Sequence, residues 1–161
     1  MNLSITIIGH NEVEHLRELL PQLKMADEIV YVDCESHDGS LETARDAGCR
    51  VFSRPNNTNL NVNKSYAMEQ ATGDWVFYMD PDERLPEILM SEIDKVITAT
   101  SNSAFKLNRR NHYFGNWLRH GSQYPDTQLR LFRKDSAHFQ NQHVHEKLVV
   151  EGTIGKLDND M

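Results

Sequence analysis

The stretch Trp75-Val76-Phe77-Tyr78-Met79-Asp80-Pro81-Asp82-Glu83 joins a short apolar run directly to a group of acidic residues. The apolar run has the length and aromatic content of a buried strand. Its end places two carboxylates, Asp80 and Asp82, at the carboxyl edge of the predicted sheet, where open α/β folds bind ligands. Oxygen ligands of this kind suit hard divalent cations and the phosphates that such cations neutralise. The stretch therefore predicts a site for a metal-bound diphosphate.

A solvated acidic turn, or a helix N-terminus before Leu85-Pro86, is the competing interpretation of the same residues. For an isolated pair of aspartates it would be the preferred one. The pattern on both sides of residues 75–83 favours the binding site, because further strands and helices surround it.

Short apolar runs alternate with helical repeats through the first hundred residues. Strands are predicted at 3–8, 29–32, 50–52 and 75–79, and helices at 12–24, 40–47, 61–71 and 86–98. This alternation indicates βαβ units and a parallel sheet with helices on both faces. Residues 104–108 and 128–132 instead alternate apolar and polar side chains, which is typical of half-buried strands in an antiparallel or mixed sheet. The aromatic segment 111–118 between them is predicted to be a loop that forms one wall of a pocket.

Charge and composition limit the function classes. Residues 1–100 contain 18 acidic and 8 basic side chains, and residues 101–161 contain 6 and 9, so that a net charge of -7 divides into -10 and +3. This balance argues against a nucleic-acid-binding protein, whose basic groups would dominate one face. The 161 residues predict one domain.

Two cysteines, Cys34 and Cys49, have no C-x-x-C spacing, so neither a disulfide framework nor a thiolate zinc site is indicated. Two cysteines without a disulfide pattern indicate a reducing, cytoplasmic location. No stretch approaches the ~20 apolar residues of a membrane-spanning helix, and the N-terminus lacks a signal-peptide pattern. Peripheral association with the inner face of the cytoplasmic membrane stays open.

Three polar strand ends, in order along the chain, carry a resemblance to a known family. Asn11-Glu12 follows the first predicted strand. The second strand is followed by a segment from Asp33 to Ser40 of the form Asp-x-x-Ser-x-Asp-Gly-Ser. The fourth is followed by Asp80, Asp82 and Glu83, here called the acidic triplet. In this order the chain resembles the inverting family 2 glycosyltransferases with the GT-A fold, a Rossmann-like nucleotide-diphospho-sugar transferase fold. The resemblance covers about Leu3 to Gly155. It implies a single GT-A domain over 1–161, with 1–100 as the nucleotide-sugar-binding half and 101–161 as the acceptor and catalytic half.

Four further segments look like the bacterial branch that contains lipopolysaccharide core β-glucosyltransferases: Ala26–Val30, Ala71–Val76, Arg109–Asn111 and Tyr124–Phe132. Members of this branch usually extend well beyond residue 161, so we expect the chain to be C-terminally truncated. The resemblance implies transfer of a hexose from a nucleotide diphosphate sugar, expected to be a UDP-hexose. The acceptor would be a glycan or glycolipid, and the process cell-envelope polysaccharide or lipopolysaccharide biosynthesis.

The resemblance makes Asp82 the first choice as ligand to Mn²⁺ or Mg²⁺, with Asp80 at the ribose hydroxyls or linked to the metal through water. His145 resembles the histidine that completes the metal site in many GT-A enzymes, and a neutral imidazole suits Mn²⁺ better than Mg²⁺. His143 is the alternative, because two residues that are two apart share a face of a strand. The competing interpretation is that these histidines are exposed to solvent and bind no metal.

Asp126 is the predicted catalytic base, because the family's base is an acidic residue shortly before a segment like Gln128-Leu129-Arg130. An aspartate in a closed site can accept the proton of an attacking sugar hydroxyl, although its ordinary pKa near ~4 demands good geometry. Pro125-Asp126 also fits a simple turn. Glu146 is the reserve candidate.

The residues assigned to the nucleotide sugar are Asn11, Glu12, Asp33, Asp38, Lys64, Asp80 and Arg130. Asp33 resembles the residue that recognises the base or ribose. Asp38 could equally form a turn and cap the following helix. Lys64 and Arg130 are predicted at phosphate oxygens, with a solvated surface as the alternative. Trp117 and Tyr124 are candidates to stack on a sugar, or else belong to the core.

Two residues depart from the family pattern. Glu35 stands where many relatives have glycine, and a positive φ there would strain the backbone. Pro81 stands where alanine is common, and we expect it to be tolerated. Glu35 and the short C-terminus support a second hypothesis, a catalytically inactive or truncated domain that binds a nucleotide sugar or a partner. Metal-dependent nucleotidyl transfer ranks last, because residues 9–12 lack a glycine-rich, basic phosphate loop.

Overall fold

Strands and helices alternate through the first hundred residues, as predicted. The computed structural model describes residues 1–139 and 148–161. The strands are β1 (Leu3–Gly9), β2 (Glu28–Asp33), β3 (Arg50–Ser53), β4 (Trp75–Met79), β5 (Ala104–Arg109), β6 (His112–Tyr113), β7 (Asn116–Trp117), β8 (Asp126–Arg133), β9 (Ala137–Phe139), β10 (Leu148–Val150) and β11 (Ile154–Lys156). The helices are α1 (Val13–Leu19), α2 (Ser40–Asp46), α3 (Leu60–Gln70) and α4 (Glu87–Ala99), with 3₁₀ turns at Leu20–Gln22 and Lys134–Ser136.

The central sheet has seven strands in the order β11-β5-β8-β4-β1-β2-β3. β1 pairs in parallel with β2 and β4, and β2 pairs in parallel with β3. β8 lies antiparallel between β4 and β5, and β11 is parallel to β5. The prediction of an α/β fold with a mostly parallel sheet and a mixed C-terminal part is confirmed.

Helices cover both faces of this sheet. The side chains of the buried strand β1 point alternately to the two faces, and each face contributes to its own apolar cluster. Ile5 and Ile7 belong to a cluster that includes residues of α1, α2 and α4. Ile8 belongs to the other cluster, together with Ala67 and Met68 of α3. Every residue of β1 is buried, and β1 lies between β4 and β2, so it fixes the positions of the strand ends beside it.

Two elements differ from the prediction. The helix expected at 12–24 ends at Leu19 and continues as a 3₁₀ turn, because Pro21 has no N–H and cannot occupy the interior of an α-helix. Residues 112–117, expected in a loop, form a two-stranded hairpin in which His112 pairs with Trp117. The apolar and polar pattern there is too short to predict pairing. No helix in 1–139 or 148–161 has the length and apolar composition that crossing a membrane requires.

Candidate active site

The carboxyl ends of β1, β2 and β4 lie side by side, because Gly9 is in register with Asp33 and Ile7 with Met79. Asp33 is 3% exposed, and its Oδ2 accepts a hydrogen bond of 3.1 Å from the Ser36 amide. Its Oδ1 is buried and has no hydrogen-bond partner among the described residues. A buried carboxylate oxygen without a donor is unfavourable in the free protein. Oδ1 therefore retains the capacity to accept a hydrogen bond from a hydroxyl or N–H group.

The loops that follow β1 and β2 are joined by hydrogen bonds. The Asn11 amide donates to Ser36 Oγ (2.9 Å), and Asn11 Oδ1 accepts from the His37 amide (2.8 Å). The Glu12 amide donates to Ser40 Oγ (2.8 Å). Asn11 and Glu12 thus contact the loop that follows Asp33. Their roles toward a nucleotide stay predictions.

Asp38 connects α1 with the turn before α2. Its Oδ1 accepts hydrogen bonds from the amide (3.0 Å) and hydroxyl (2.6 Å) of Ser40, and its Oδ2 accepts from the Val13 amide (3.0 Å). Burial acts to raise the pKa of Asp38, but these hydrogen bonds together outweigh it and hold the pKa below its ordinary value. These are the hydrogen bonds expected if Asp38 forms a turn and caps the neighbouring helices. A binding role for Asp38 stays a prediction.

Glu35 has a φ of 59°, in the left-handed region that strains a residue with a side chain. Its Oε2 accepts a hydrogen bond of 3.1 Å from the Asn56 amide, which lies in the loop between β3 and α3. This contact links the Glu35 side chain to the neighbouring loop and partly offsets the backbone strain.

Asp80 lies between two cations. Lys64 Nζ is 3.2 Å from Asp80 Oδ1, and Arg130 Nη2 is 3.3 Å from Oδ2. Burial acts to raise the pKa of Asp80, but the charges of Lys64 and Arg130 outweigh it and hold the pKa below its ordinary value. Both cations also lie over the Tyr78 ring, at 5.2 and 4.4 Å from its centroid. The two residues predicted to bind phosphate therefore lie together at the end of β4.

Arg130 is 3% exposed and retains donors that the chain does not use. Its Nη2 donates to Glu83 as well as to Asp80. Its Nε and Nη1 are buried and have no acceptor among the described residues. A buried guanidinium with unmet donors is suited to an anionic oxygen, since Arg binds carboxylate and phosphate groups with its planar fork.

Glu83 and Arg109, for which the sequence predicted no role, connect the two halves of the site. Glu83 is buried and accepts from Arg109 Nη1 (3.1 Å), from Arg130 and, through Oε2, from the Asp80 amide (2.8 Å). Burial raises the pKa of Glu83 above its ordinary value, although the Arg130 charge opposes this. A row of alternating charges results: Asp126, Arg109, Glu83, Arg130, Asp80 and Lys64.

Asp126 is held by three side chains. Arg109 Nε (3.0 Å) and Nη2 (2.9 Å) and Asn111 Nδ2 (3.0 Å) all lie at Oδ2, whereas Gln128 Nε2 donates to Oδ1 (2.6 Å). Burial acts to raise the pKa of Asp126, but these hydrogen bonds and the Arg109 charge lower it. Oδ2 is saturated with donors, whereas Oδ1 keeps a lone pair for one further hydroxyl.

Asp82 is exposed and lines a cleft of about 590 Å³. The other residues that line it include Glu83, Pro86, Ile88, Arg109, Asn111, Tyr113 and Asp160. Asp126 is not among them, but Arg109 and Asn111, which hold it, are. The cleft therefore extends from Asp82 to the two side chains that bind the predicted base, Arg109 and Asn111.

In the part of the chain that the structure describes, no three histidine, cysteine or acidic side chains gather as a metal site. A cation bound with a nucleotide diphosphate needs fewer protein ligands, because one or two carboxylates suffice when phosphate oxygens and water complete its coordination. The exposed carboxylate of Asp82 fits this donor set. His145, His143 and Glu146 lie in 140–147, outside the described residues, so their assignments stay predictions.

Asp160 is a further carboxylate at the cleft, and nothing in its sequence context indicated it. It accepts hydrogen bonds from Arg110 Nε (2.8 Å) and from the Tyr124 hydroxyl (2.9 Å). Tyr124 packs edge-on against Trp117, with 5.2 Å between ring centroids. Both rings are half-buried, so the choice between sugar stacking and core packing stays open for them.

The lowered carboxyl pKa values of this site predict loss of stability in acid. Asp80, Asp126 and Asp160 bind protons more weakly in the folded chain than in the unfolded chain. Their contribution is complete above the unfolded pKa of about 4 and declines as the pH falls through the lower folded values. Glu83, whose pKa is raised, acts in the opposite direction. We expect the free energy of unfolding, measured with urea, to decrease from pH 5 to pH 3.

Asp160→Asn is the comparison for this experiment, because it removes one of the three carboxylates and should make the decline shallower. A free energy of unfolding that rises between pH 5 and pH 3 would contradict the assignment of these pKa directions.

Comparison with known proteins gives one family match and several similar sequences. The model of the family described as Glycosyl transferase family 2 matches residues 4–149. The lipopolysaccharide core biosynthesis glycosyltransferase LpsC of Rhizobium meliloti (strain 1021) is 30% identical over 159 residues, which are 95% of this chain and 59% of LpsC. An uncharacterized glycosyltransferase of Rickettsia prowazekii (strain Madrid E) is 30% identical over 104 residues, 64% of this chain and 35% of that protein. The chain thus spans less than two thirds of these relatives.

Solved structures of GT-A glycosyltransferases share the fold. S. aureus TarS 1-349 in complex with UDP-GlcNAc has a TM-score of 0.64 at 16% identity, over 99% of this chain and 59% of that one. The mannosyltransferase PcManGT from Pyrobaculum calidifontis, in complex with GDP-Man and Mn²⁺, has a TM-score of 0.58 at 20% identity, over 68% and 36%. The GT-A prediction for the fold is confirmed.

Proposed function

The chain belongs to glycosyl transferase family 2, and on that premise we propose that it transfers a hexose from a nucleotide diphosphate sugar to a hydroxyl group of a glycan or glycolipid. The proposed process is cell-envelope polysaccharide or lipopolysaccharide synthesis, in line with the relative LpsC. The central sheet contains strands from both 1–100 and 101–161, which supports the proposal of a single GT-A domain.

The observation that carries the proposal is the environment of Asp126. Arg109 and Asn111 occupy one carboxylate oxygen, and the other has a single donor, Gln128. A passive binding domain has no need of an oriented carboxylate with one open acceptor position. A transferase needs such a group, because the attacking hydroxyl must lose its proton.

The donor is proposed to lie along the strand ends. Asp33, with its unmet Oδ1, is suited to a ribose hydroxyl or a base N–H group. Arg130 and Lys64 are suited to the diphosphate, with the unmet donors of Arg130 directed to its oxygens. UDP is the proposed nucleotide, because TarS, which shares the fold, was solved with UDP-GlcNAc.

Asp82 is the proposed ligand of Mn²⁺ or Mg²⁺, with Asp80 beside it. When bound, such a cation neutralises the charge of the departing diphosphate. Within the chain, Lys64 and Arg130 supply positive charge to the same place, since both lie within 3.3 Å of Asp80.

The proposed reaction is a single displacement with inversion. The acceptor oxygen attacks the anomeric carbon as its proton passes to Asp126 Oδ1. The bond from the anomeric carbon to the diphosphate breaks, and the nucleoside diphosphate leaves with the electron pair. Arg109 keeps Oδ2 in place during this step, because its Nε donates a hydrogen bond to that oxygen and its Nη2 forms an ion pair with it at 2.9 Å.

Calorimetric titration with UDP, with and without Mn²⁺, tests the donor site. We expect binding that requires the metal, and at least about tenfold weaker binding by Asp82→Ala, because loss of one charged contact exceeds the ~1.4 kcal/mol that a tenfold change represents. Asp94→Ala is the matched control, since Asp94 is an exposed carboxylate on α4 that does not line the cleft.

Absence of UDP binding under both conditions would favour the alternative of an inactive or truncated domain. Binding of GDP in place of UDP would keep the proposed transferase and change its donor. Equal affinity of Asp82→Ala and the wild-type chain would remove Asp82 from the metal site.

A further inference from the structure

The hairpin His112–Trp117, here called the aromatic hairpin, exposes two large apolar side chains at its turn. Phe114 is 99% exposed and Tyr113 is 65% exposed. The Phe114 ring has a ring contact with Tyr113 at 6.4 Å between centroids, and it belongs to neither buried cluster. The turn therefore presents apolar area to the surroundings, which is unfavourable in water.

The backbone of the turn is also unfavourable for the residue that occupies it. Phe114 and Gly115 have φ values of 48° and 77°, the two positive values of a type I′ turn. Glycine adopts this conformation readily, but at the first position asparagine or aspartate is preferred and a bulky side chain is strained. Phe114 thus combines strain with full exposure, and neither stabilises the fold. A large apolar side chain that is exposed on a strained turn is typical of a surface that contacts another molecule.

Charge around the hairpin identifies the kind of partner. Residues 106–124 contain four basic and no acidic side chains, in a chain whose net charge is -7. Two of the four pair with carboxylates of the chain, Arg109 with Glu83 and Asp126 and Arg110 with Asp160. The exposed basic side chains that remain are Lys106 and Arg119, with His112 and His120 beside them. Aromatic side chains beside exposed basic ones are the composition of segments that lie in the interface of an anionic membrane.

The location of the hairpin agrees with this partner. Tyr113 and Ile88, which is 65% exposed, both line the cleft that contains Asp82. Two exposed apolar side chains therefore lie at the cleft. A lipid surface in contact with these side chains would bring membrane components to the cleft.

We propose that the aromatic hairpin inserts Phe114 and Tyr113 into the headgroup layer of a membrane that contains anionic phospholipid, with Arg119 at the phosphates. This inference goes beyond the proposed function and does not rest on it, because vesicle binding requires neither donor nor acceptor. A glycosyltransferase held in this way would act on acceptors at the membrane surface.

Sedimentation of the purified chain with vesicles of phosphatidylcholine, with and without phosphatidylglycerol, tests the proposal. We expect binding to the vesicles that contain phosphatidylglycerol, and about tenfold weaker binding by Phe114→Asn, because a phenyl ring that leaves water gains free energy with its apolar area. Asn-Gly is the preferred pair for a type I′ turn, so the substitution should preserve or raise the thermal midpoint. Loss of binding can then be assigned to the ring.

Leu60→Asn is the matched control, because it removes an exposed apolar side chain at the start of α3, outside the hairpin. It should bind vesicles as the wild-type chain does, whereas Arg119→Gln should weaken binding. No sedimentation of the wild-type chain, or equal binding by Phe114→Asn, would overturn the proposal. Dimerisation that depends on Phe114 and occurs without vesicle binding would also overturn it and assign the hairpin to a second copy of the chain.

Discussion

Asp126→Asn is expected to slow sugar transfer by about 10²- to 10⁴-fold, the usual contribution of a positioned base, with nucleoside diphosphate affinity changed by no more than about twofold. Asparagine has nearly the same shape, so its carbonyl oxygen can still accept from Arg109 and Asn111 in place of Oδ2. Its amide nitrogen, however, cannot accept the proton of the attacking hydroxyl. The measurement is nucleoside diphosphate release with a donor and acceptor found by screening, beside calorimetric titration of the same variant.

The lowered pKa of Asp126 gives this prediction a second readout. The carboxylate is ionised at neutral pH, so kcat/KM of the wild-type chain should be level there and decline only in acid, below the ordinary carboxyl pKa of about 4. Asp94→Asn, a remote carboxylate change on α4, should leave both the rate and this profile unaltered. A rate for Asp126→Asn within tenfold of wild type would exclude Asp126 as the base and direct attention to Glu146.

The strand ends could be predicted from sequence because each follows from local pattern. The apolar runs before Asp33 and Asp80 are short and uninterrupted, and in a parallel sheet their carboxyl ends must share an edge. The position of these carboxylates therefore needed no knowledge of distant contacts. Lys64 was assigned to the same region by residue type, and the structure places it beside Asp80.

The connection between the two halves of the site could not be predicted in the same way. It depends on the antiparallel pairing of β5 with β8, which sets Arg109 opposite Asp126 and includes an irregularity between Phe105 and Lys106. Alternating apolar residues predict the strands but not their register, and a shift of one residue would turn Arg109 to the other face. Glu83 is buried by Arg109 of β5 and Arg130 of β8, so its burial depends on the same pairing of strands. The local sequence of the acidic triplet therefore could not predict its role.

Glu83→Ala is expected to reduce the free energy of unfolding by about 3–5 kcal/mol, the usual result of removing one partner from a buried ion pair. Arg130 would keep only Asp80 as a charged partner, and Arg109 would keep only Asp126. The Asp80 amide would also lose its acceptor. Urea unfolding at pH 7 measures the change, with Glu83→Gln as the comparison, because the amide oxygen can still accept and its loss should be smaller.

The double variant Glu83→Ala with Arg130→Met distinguishes a buried charge from a loss of packing. In Glu83→Ala the buried guanidinium of Arg130 loses one of its charged partners. If this unpaired charge causes the destabilisation, replacing Arg130 with an apolar side chain should restore part of the free energy of unfolding, because apolar replacement of a whole buried ion pair is often neutral. The coupling between the two positions should then exceed about 1 kcal/mol. Additive losses, or a loss below about 1 kcal/mol for Glu83→Ala alone, would show that water reaches this pair. The row of charges between Asp126 and Asp80 would then not act as a rigid support for the proposed base.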